Sequence, residues 1–255
     1  MPHISFSELK IWAECPFKHK LMYIDKIKGF IGNEYTAFGG AIHTLCENAI
    51  VGRIEPSDHE EFFQAAFRQE LKKIEVTKPN LVMQMLIQAN NITPEIIPSV
   101  EHHFGDYEVF SVEERLFENI EDFDDEQYNF KGFIDLVLKT SDGKYHIIDW
   151  KTCSWGWNAE RRNARLTTYQ LTLYKKFFCQ KHEIDPSIVE THFALLKRTA
   201  KKDHVEIFRV TSGLRKINNA NELLLKAISN INKQIKFKNR LSCDKCEFRK
   251  TEHCW

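Results

Sequence analysis

Hydrophobic residues recur at the spacing of α-helices over much of this 255-residue chain. The predicted helices are residues 5–28 with a break near Pro16, residues 41–51, most of residues 57–104, residues 164–182 and residues 212–236. Ser5 followed by Glu8 fits a capping box at the first helix. Gly39 and Gly40 immediately precede the second helix and indicate where it begins.

Other segments are rich in β-branched and aromatic residues and predict strands. These are residues 109–117, 130–139, 144–151, 189–197 and 204–210, with an acidic loop at residues 118–126. Helices, a meander of strands, a long helix and two further strands indicate a mixed α/β fold. We expect a central, mostly antiparallel or mixed sheet flanked by helices. A single domain over residues 1–255 is expected, with residues 57–104 as a helical insertion.

The two strands at residues 130–151 form the most informative segment. Residues 141–143, Ser-Asp-Gly, are a turn signal. A three-residue turn with Gly143 in the left-handed conformation places Asp135 directly opposite Asp149, so that both carboxylates share a face. The two-residue period of a strand adds Lys151 to that face. A two-residue turn would instead put the two aspartates on opposite faces.

Carboxylates placed opposite each other repel, and a hard divalent cation would turn that repulsion into binding. A lysine beside the metal could orient or deprotonate an attacking water and stabilise a charged phosphate. The alternative is an amphipathic hairpin with an exposed polar face.

Composition limits the possible functions. The chain has 36 basic and 36 acidic residues, so no global positive field indicates nucleic acid. Local basic groups occur at residues 161–165, 197–202 and 233–240, and each could equally be a solvated face. No apolar run approaches the length of a membrane span, and the first residues lack a signal pattern. We therefore expect a protein of the cytoplasm, without membrane contact.

Seven cysteines are many for a reduced compartment and suggest a metal site. Cys243, Cys246 and Cys254 lie in the C-terminal tail, whereas Cys46, Cys153 and Cys179 match no motif and are expected to be buried. With a fourth ligand the tail could hold zinc or an iron–sulfur cluster. His253 could complete a zinc site.

Further features lie around the hairpin. Upstream are Cys15-Pro16 and Gly39-x-x-x-His43, and downstream Gln170 and Tyr174 lie at positions i and i+4 of the long helix. Taken alone, His43 could be a surface or core histidine. Gln170 could be the hydrogen-bond partner of a buried Tyr174, a role compatible with a place in a site.

In this order, the motifs resemble the PD-(D/E)XK nucleases of the RecB-like branch, close to CRISPR adaptation nucleases and to phage or helicase-associated exonucleases with an iron–sulfur cluster. The matches are Cys15-Pro16, Gly39-x-x-x-His43, Gly132-x-Ile134-Asp135, Ile148-Asp149-x-Lys151-Thr152, Gln170-x-x-x-Tyr174 and the terminal cysteines. Each motif is weak alone, but their joint order and spacing are specific. The resemblance implies a restriction-endonuclease-like core with a helical N-terminal part and a Cys-rich tail.

The resemblance also implies roles for individual residues. His43, Asp135 and Asp149 correspond to ligands of Mg²⁺ or Mn²⁺, joined by the backbone carbonyl after Asp149, and Lys151 corresponds to the catalytic lysine. Gln170 and Tyr174 match positions that line the site and contact DNA. Two further expectations concern single residues: Arg165, at the arginine-rich start of the long helix, contacts phosphates, and Glu113 or Glu114 joins the site.

The same resemblance implies that Cys15, Cys243, Cys246 and Cys254 hold a [4Fe–4S] cluster, with Zn²⁺ as the alternative. The seven residues between Cys246 and Cys254 depart from the family, where five or six are common. Such a centre would attach the tail, residues 236–255, to the N-terminal helix.

The expected function is a metal-dependent DNA exonuclease acting in DNA processing, recombination or repair, on DNA that is single-stranded or has single-stranded ends. A helicase or a recombination protein is the expected partner. One alternative is a catalytically degenerate nucleic-acid-binding or helicase-associated module. The other is a redox protein or an interaction protein held together by zinc, in which the cysteine tail matters and the hairpin does not. Cleavage polarity and the choice of DNA over RNA stay open at this point.

Overall fold

The computed structural model describes residues 1–121 and 128–254, and most of the predicted acidic loop, residues 122–126, lies outside them. Within these residues the strands are β1 (His3–Ser5), β2 (Tyr107–Asn119), β3 (Asn129–Thr140), β4 (Tyr145–Cys153), β5 (Val189–Lys197) and β6 (Val205–Val210). The α-helices of the same residues are α1 (Phe6–Glu14), α2 (Pro16–His19), α3 (Glu34–Ile50), α4 (His59–Leu71), α5 (Pro79–Ile92), α6 (Ile96–Phe104), α7 (Ala159–Asn163), α8 (Arg165–His182) and α9 (Leu214–Asn232). None of the described helices has both the length and the apolar character that a membrane span needs.

The strands form one mixed sheet flanked by helices, which confirms the predicted fold class. The sheet order is β1-β3-β4-β5-β6, with β2 also paired to β3. Antiparallel pairing joins β3 to β4 and β5 to β6, whereas β4 and β5 are parallel. Parallel neighbours need a crossover connection, and α8 lies in this one.

The periodic patterns identified β2 to β6 and the long helices to within a few residues, and the helical stretch at residues 57–104 is confirmed as α4 to α6. The sequence did not predict β1, a three-residue strand that pairs in parallel with the start of β3. So short a strand carries almost no periodic signal, and only its partner stabilises it.

The predicted start of the second helix was wrong. The helix α3 begins at Glu34, where the Asn33 side chain accepts hydrogen bonds from the backbone N–H groups of Tyr35 and Thr36. Gly39 and Gly40 therefore lie inside the helix. A β-carbon at Gly40 would lie 3.1 Å from the side chain of a glutamate on α4, so this glycine permits close approach of the two helices.

The described chain divides into two compact units. The larger unit comprises residues 32–115 and 133–212, and its core lies between helices α3 to α6 and one face of the sheet. Large buried side chains of this core include Phe38, Phe63, Phe67, Ile148 and Trp150.

The smaller unit comprises residues 1–31, 116–132 and 213–255. Within it, α1 and α9 are in contact and contribute buried residues such as Trp12 and Leu224. Ser5 caps α1 as predicted, because its side chain accepts from the Glu8 backbone N–H at 3.2 Å. The Glu8 carboxylate, which was expected to complete a capping box, instead lies 2.8 Å from His19 Nε2.

Candidate active site

The hairpin of β3 and β4 has the predicted turn and register. The Thr140 N–H donates to the Lys144 carbonyl at 3.0 Å, and Gly143 has a φ of +81°, a conformation that favours glycine. Lys139 pairs with Tyr145 and Leu136 with Ile148. The same register places the two aspartates of the hairpin opposite each other, so the turn confirms the predicted geometry.

Asp149 is 1% exposed and its two carboxylate oxygens have different partners. Lys151 Nζ lies 2.6 Å from Oδ2, and Gln170 Nε2 on α8 donates to Oδ1 at 2.9 Å. Asp135 Oδ2 accepts from the backbone N–H of Trp150 at 2.8 Å. The sheet and α8 therefore hold both carboxylates in fixed orientations beside one ammonium group.

His43 projects from α3 toward the same carboxylates. Its Nδ1 lies 3.6 Å from Asp135 Oδ2, and its ring hydrogen-bonds the backbone of Trp150. The Trp150 N–H donates to Asp135 Oδ2, so the carbonyl of Trp150 is the backbone group left to accept from the His43 ring. The structure thus brings together the three side chains expected as metal ligands and the carbonyl that follows Asp149.

A glutamate of β2 also reaches the site, and it is Glu113. The neighbouring Glu114 accepts from Lys181 Nζ at 2.6 Å and lies 2.9 Å from His182 Nε2, both at the end of α8. Glu113 instead interacts with Glu47 on α3, and its charge acts on His43 and Asp135, which places it at the site. Glu113 has a φ of +49°, an uncommon conformation for a residue other than glycine.

Glu47 on α3 belongs to the same group, although the sequence analysis did not identify it. Its side chain hydrogen-bonds that of Glu113, and burial together with this bond raises the pKa of Glu47 to about 8. The signal that could have found Glu47 is its position four residues after His43, on the same helical face.

Burial dominates the electrostatics of the site. It raises the pKa of Asp135 and of Asp149 each to about 6, against the lowering effect of the Lys151 ammonium. Burial, followed by the charge of Lys151, lowers the pKa of His43 to about 4, so the imidazole is neutral and can act as a ligand. Several acids share a largely buried site with one lysine, an arrangement that a divalent cation would stabilise.

Gln170 connects the carboxylates to Tyr174, because its Nε2 also lies 3.2 Å from the tyrosine hydroxyl. Tyr174 is buried, and burial raises the pKa of its hydroxyl, which stays protonated. The pair is thus a buried tyrosine with its hydrogen-bond partner beside Asp149, and its contact with DNA stays a prediction. Arg165 is exposed at the first residue of α8, and its contact with DNA stays a prediction.

The four cysteines that the resemblance groups together line one pocket of the smaller unit. The backbone N–H of Asn239 donates to Cys15 Sγ at 3.4 Å. The Asn239 and Ser242 side chains both donate to the Glu14 carbonyl at the end of α1, so the tail is attached there. The exposed His253 has its Nε2 3.4 Å from Glu252. As predicted, the other three cysteines are buried.

Comparison with known proteins supports this arrangement. A family model described as the PD-(D/E)XK nuclease superfamily matches residues 3–251, which run through both units. No curated protein matches the sequence. A crystal structure from Eubacterium rectale, named as a "putative exonuclease", is similar with a TM-score of 0.62 and 12% identity, over 98% of this chain and 88% of that one. At that identity the similarity concerns the fold.

A second solved structure, SSO0001, has a TM-score of only 0.40 at 13% identity, over 95% of this chain and 93% of that one. A similarity this low does not show a shared fold. The family model covers nearly the whole chain, and the matched residues include all those of the hairpin site described above. The chain therefore belongs to the PD-(D/E)XK nuclease superfamily.

Proposed function

We propose that this protein is a Mg²⁺- or Mn²⁺-dependent exonuclease that hydrolyses phosphodiester bonds in DNA. The observation that carries the proposal is the convergence of Asp135, Asp149 and Lys151 at one end of the β3–β4 hairpin, with His43 against them. A catalytically degenerate site would lack one or more of these four side chains, and all four are present here.

The residues present fit a hard divalent cation. Two carboxylates, one neutral imidazole and the Trp150 carbonyl offer oxygen and nitrogen donors in a buried site with excess negative charge. When bound there, the cation would supply Lewis-acid polarisation of the phosphate and a more acidic water. Glu113, through its contact with Glu47, would add a further carboxylate at the edge of the site.

The protein's own side chains would orient the nucleophile, offset negative charge and bind the DNA. Lys151 is ion-paired with Asp149 and has N–H groups for a water or a phosphate oxygen, so it would orient the nucleophile and offset developing negative charge. Gln170 holds Asp149 in place. The exposed Arg165 would contact phosphates, which would make DNA binding weaken as salt rises.

The exonuclease assignment has two supports. The order of motifs resembles that of RecB-like exonucleases, and the similar structure from Eubacterium rectale is named an exonuclease. Ends of single-stranded DNA are the proposed substrate. Work beside a helicase or a recombination protein, in repair or recombination, is the proposed setting.

We also propose that Cys15 and the three tail cysteines hold a [4Fe–4S] cluster. All four line one pocket, which basic side chains such as Lys18 and Arg240 also line, as suits an anionic cluster. An N–H bond to Cys15 Sγ is the kind of contact that stabilises a ligating thiolate. Iron and zinc contents of the wild type and of Cys15→Ser decide this point, because iron lost in the variant indicates the cluster and zinc lost in the variant indicates a zinc site on the cysteines.

The test of the nuclease compares linear and covalently closed circular single-stranded DNA with Mn²⁺ or Mg²⁺, and with EDTA. We expect the linear strand to be degraded, the circle to survive, and EDTA to stop the reaction. Asp149→Asn should be inactive. Asp142→Asn, the same change in the turn of the same hairpin, should be active. Cleavage of the circle would refute exonuclease action, and full activity of Asp149→Asn would refute the site. A parallel RNA strand tests the choice of DNA.

A further inference from the structure

A second group of side chains with metal-ligand chemistry lies in the larger unit, apart from the nuclease site. His146 is on β4, and its register partner on the parallel strand β5 is Glu190. His192 lies two residues further along β5 and therefore on the same face. His146 and Asp149 are separated by three positions of one strand, so they point to opposite faces of the sheet. Both imidazoles are buried, at 8% and 3% exposure.

The three potential ligand atoms are close together. His146 Nδ1 lies 3.2 Å from His192 Nε2, and Glu190 Oε2 lies 4.0 Å from the first and 3.9 Å from the second. The centre of a triangle with these sides is about 2.2 Å from each corner, close to the 2.0–2.2 Å bonds that Zn²⁺ makes to histidine and carboxylate. The donors therefore already surround a point at bonding distance.

The hairpin turn sets the tautomer of His146. The Thr140 hydroxyl lies 2.6 Å from Asp142 Oδ1 and 3.1 Å from His146 Nε2. Hydrogen bonds from Thr140 and Lys144 lower the pKa of Asp142, so this group is a carboxylate that only accepts. The hydroxyl hydrogen goes to Asp142, and the oxygen accepts from His146 Nε2–H. A neutral imidazole has one N–H, so Nδ1 presents its lone pair to the group.

The other two side chains are held in a comparable way. Arg209 Nη2 lies 3.2 Å from Glu190 Oε1, which leaves Oε2 toward the histidines. Nδ1 of His192 is buried and has no hydrogen-bond partner within the described part of the chain. Because His146 Nδ1 presents a lone pair, the Nε2–H of His192 donates to it at 3.2 Å in the metal-free protein, and a bound metal ion would replace this hydrogen bond as the ring proton of His192 moves to its Nδ1. The Phe104 ring packs 5.0 Å from the His192 ring, centre to centre, and covers the group.

We propose that His146, Glu190 and His192 bind a borderline divalent transition metal ion of the Zn²⁺ class, with solvent as the remaining ligand. Two imidazoles and one carboxylate, each oriented by a second hydrogen bond or by packing, are a donor set for such ions rather than for Mg²⁺. The ion would join the starts of β4 and β5, the two strands whose pairing continues past Asp149 and Lys151. Its role would be structural.

The test measures zinc per chain by equilibrium dialysis and elemental analysis, on full-length protein carrying Asp149→Asn so that the nuclease site is disabled. His192→Gln and Glu190→Gln are compared with His102→Gln, a change at an exposed histidine of α6. We expect the control to bind one more Zn²⁺ per chain than either site variant. Zinc should also raise the Tm of the control and not that of the two site variants. The cysteine tail is unchanged in all three proteins and cancels from the comparison.

Equal zinc content in the control and in both site variants would overturn the proposal. Circular dichroism without zinc checks the folds. Should His192→Gln not fold, the half-buried Glu190→Gln, which keeps the shape of the side chain, decides the outcome. Loss of nuclease activity does not enter this test, so the proposed function and the zinc site stand or fall separately.

Discussion

Replacing Asp149 by asparagine should make the metal-free protein more stable at neutral pH, although it removes a catalytic group. The folded protein raises the pKa of this carboxyl from 3.8 to about 6, chiefly by burial. At about 1.4 kcal/mol per pKa unit, the ionised group disfavours folding by about 3 kcal/mol. Asparagine has the shape of the protonated acid and carries no charge, so this penalty is removed.

The sign of the effect depends on pH. Below pH 3.8 the carboxyl is protonated in both folded and unfolded chains, so the variant has no advantage. As pH rises toward 6, the unfolded chain releases its proton first, and the wild type loses stability. Above the folded pKa the loss is complete. The advantage of Asp149→Asn should therefore grow between pH 4 and pH 7, and then stay constant.

The assay is urea unfolding followed by circular dichroism, in EDTA, at several pH values from 4 to 7.5. Asp142→Asn is the matched control, because hydrogen bonds from Thr140 and Lys144 lower the pKa of that exposed carboxyl. Its substitution should destabilise the protein at neutral pH and matter less in acid, which is the opposite sign. Mn²⁺ at 100 times its Kd should then add about 2.7 kcal/mol to the wild type and much less to Asp149→Asn. A metal-free Asp149→Asn protein that is less stable than the wild type at pH 7.5 would refute the reasoning.

Three further outcomes are expected. Lys151→Ala should lower the single-turnover rate about 10²- to 10⁴-fold and leave Mn²⁺ affinity by calorimetry nearly unchanged, since lysine is a donor and not a ligand; a normal rate or lost binding would contradict its role. Glu113→Gln should weaken Mn²⁺ binding, whereas Glu114→Gln should affect only stability, and equal effects on binding would place the wrong glutamate in the site. Anaerobically purified wild type should be brown and contain about four irons per chain. Cys15→Ser should lose iron and lower the Tm, whereas Cys179→Ser should keep both; iron retained in Cys15→Ser would remove Cys15 from the ligand set.

Much of the candidate site could be predicted from the sequence because its geometry is local. A three-residue turn ending in Gly143 determines the register of β3 and β4, and the two-residue period of a strand then determines that Asp135, Asp149 and Lys151 share a face. The position of Gln170 and Tyr174 on one face of α8 follows from helical spacing in the same way.

Other parts depended on contacts between distant segments. The choice of Glu113 over Glu114 follows from the orientation of β2 and from the partners that α8 offers to Glu114. Glu47 joined the site because α3 packs with the face that carries His43 toward the hairpin. The start of α3 follows from the Asn33 cap, but the close approach of α4, which Gly40 permits, is a packing contact that the local pattern does not contain.

By itself, then, the sequence determined most of the elements, the hairpin register and the shared face of the catalytic residues, because periods of 2 and 3.6 residues and turn chemistry act over a few neighbouring positions. Only the tertiary structure decided which acids surround His43, that Cys15 lines one pocket with the tail cysteines, and that His146 meets His192 across two parallel strands. Apart from Glu47, which lies four residues after His43, those pairings join residues 46 or more positions apart. Their distances depend on how strands and helices pack, and no local pattern encodes that.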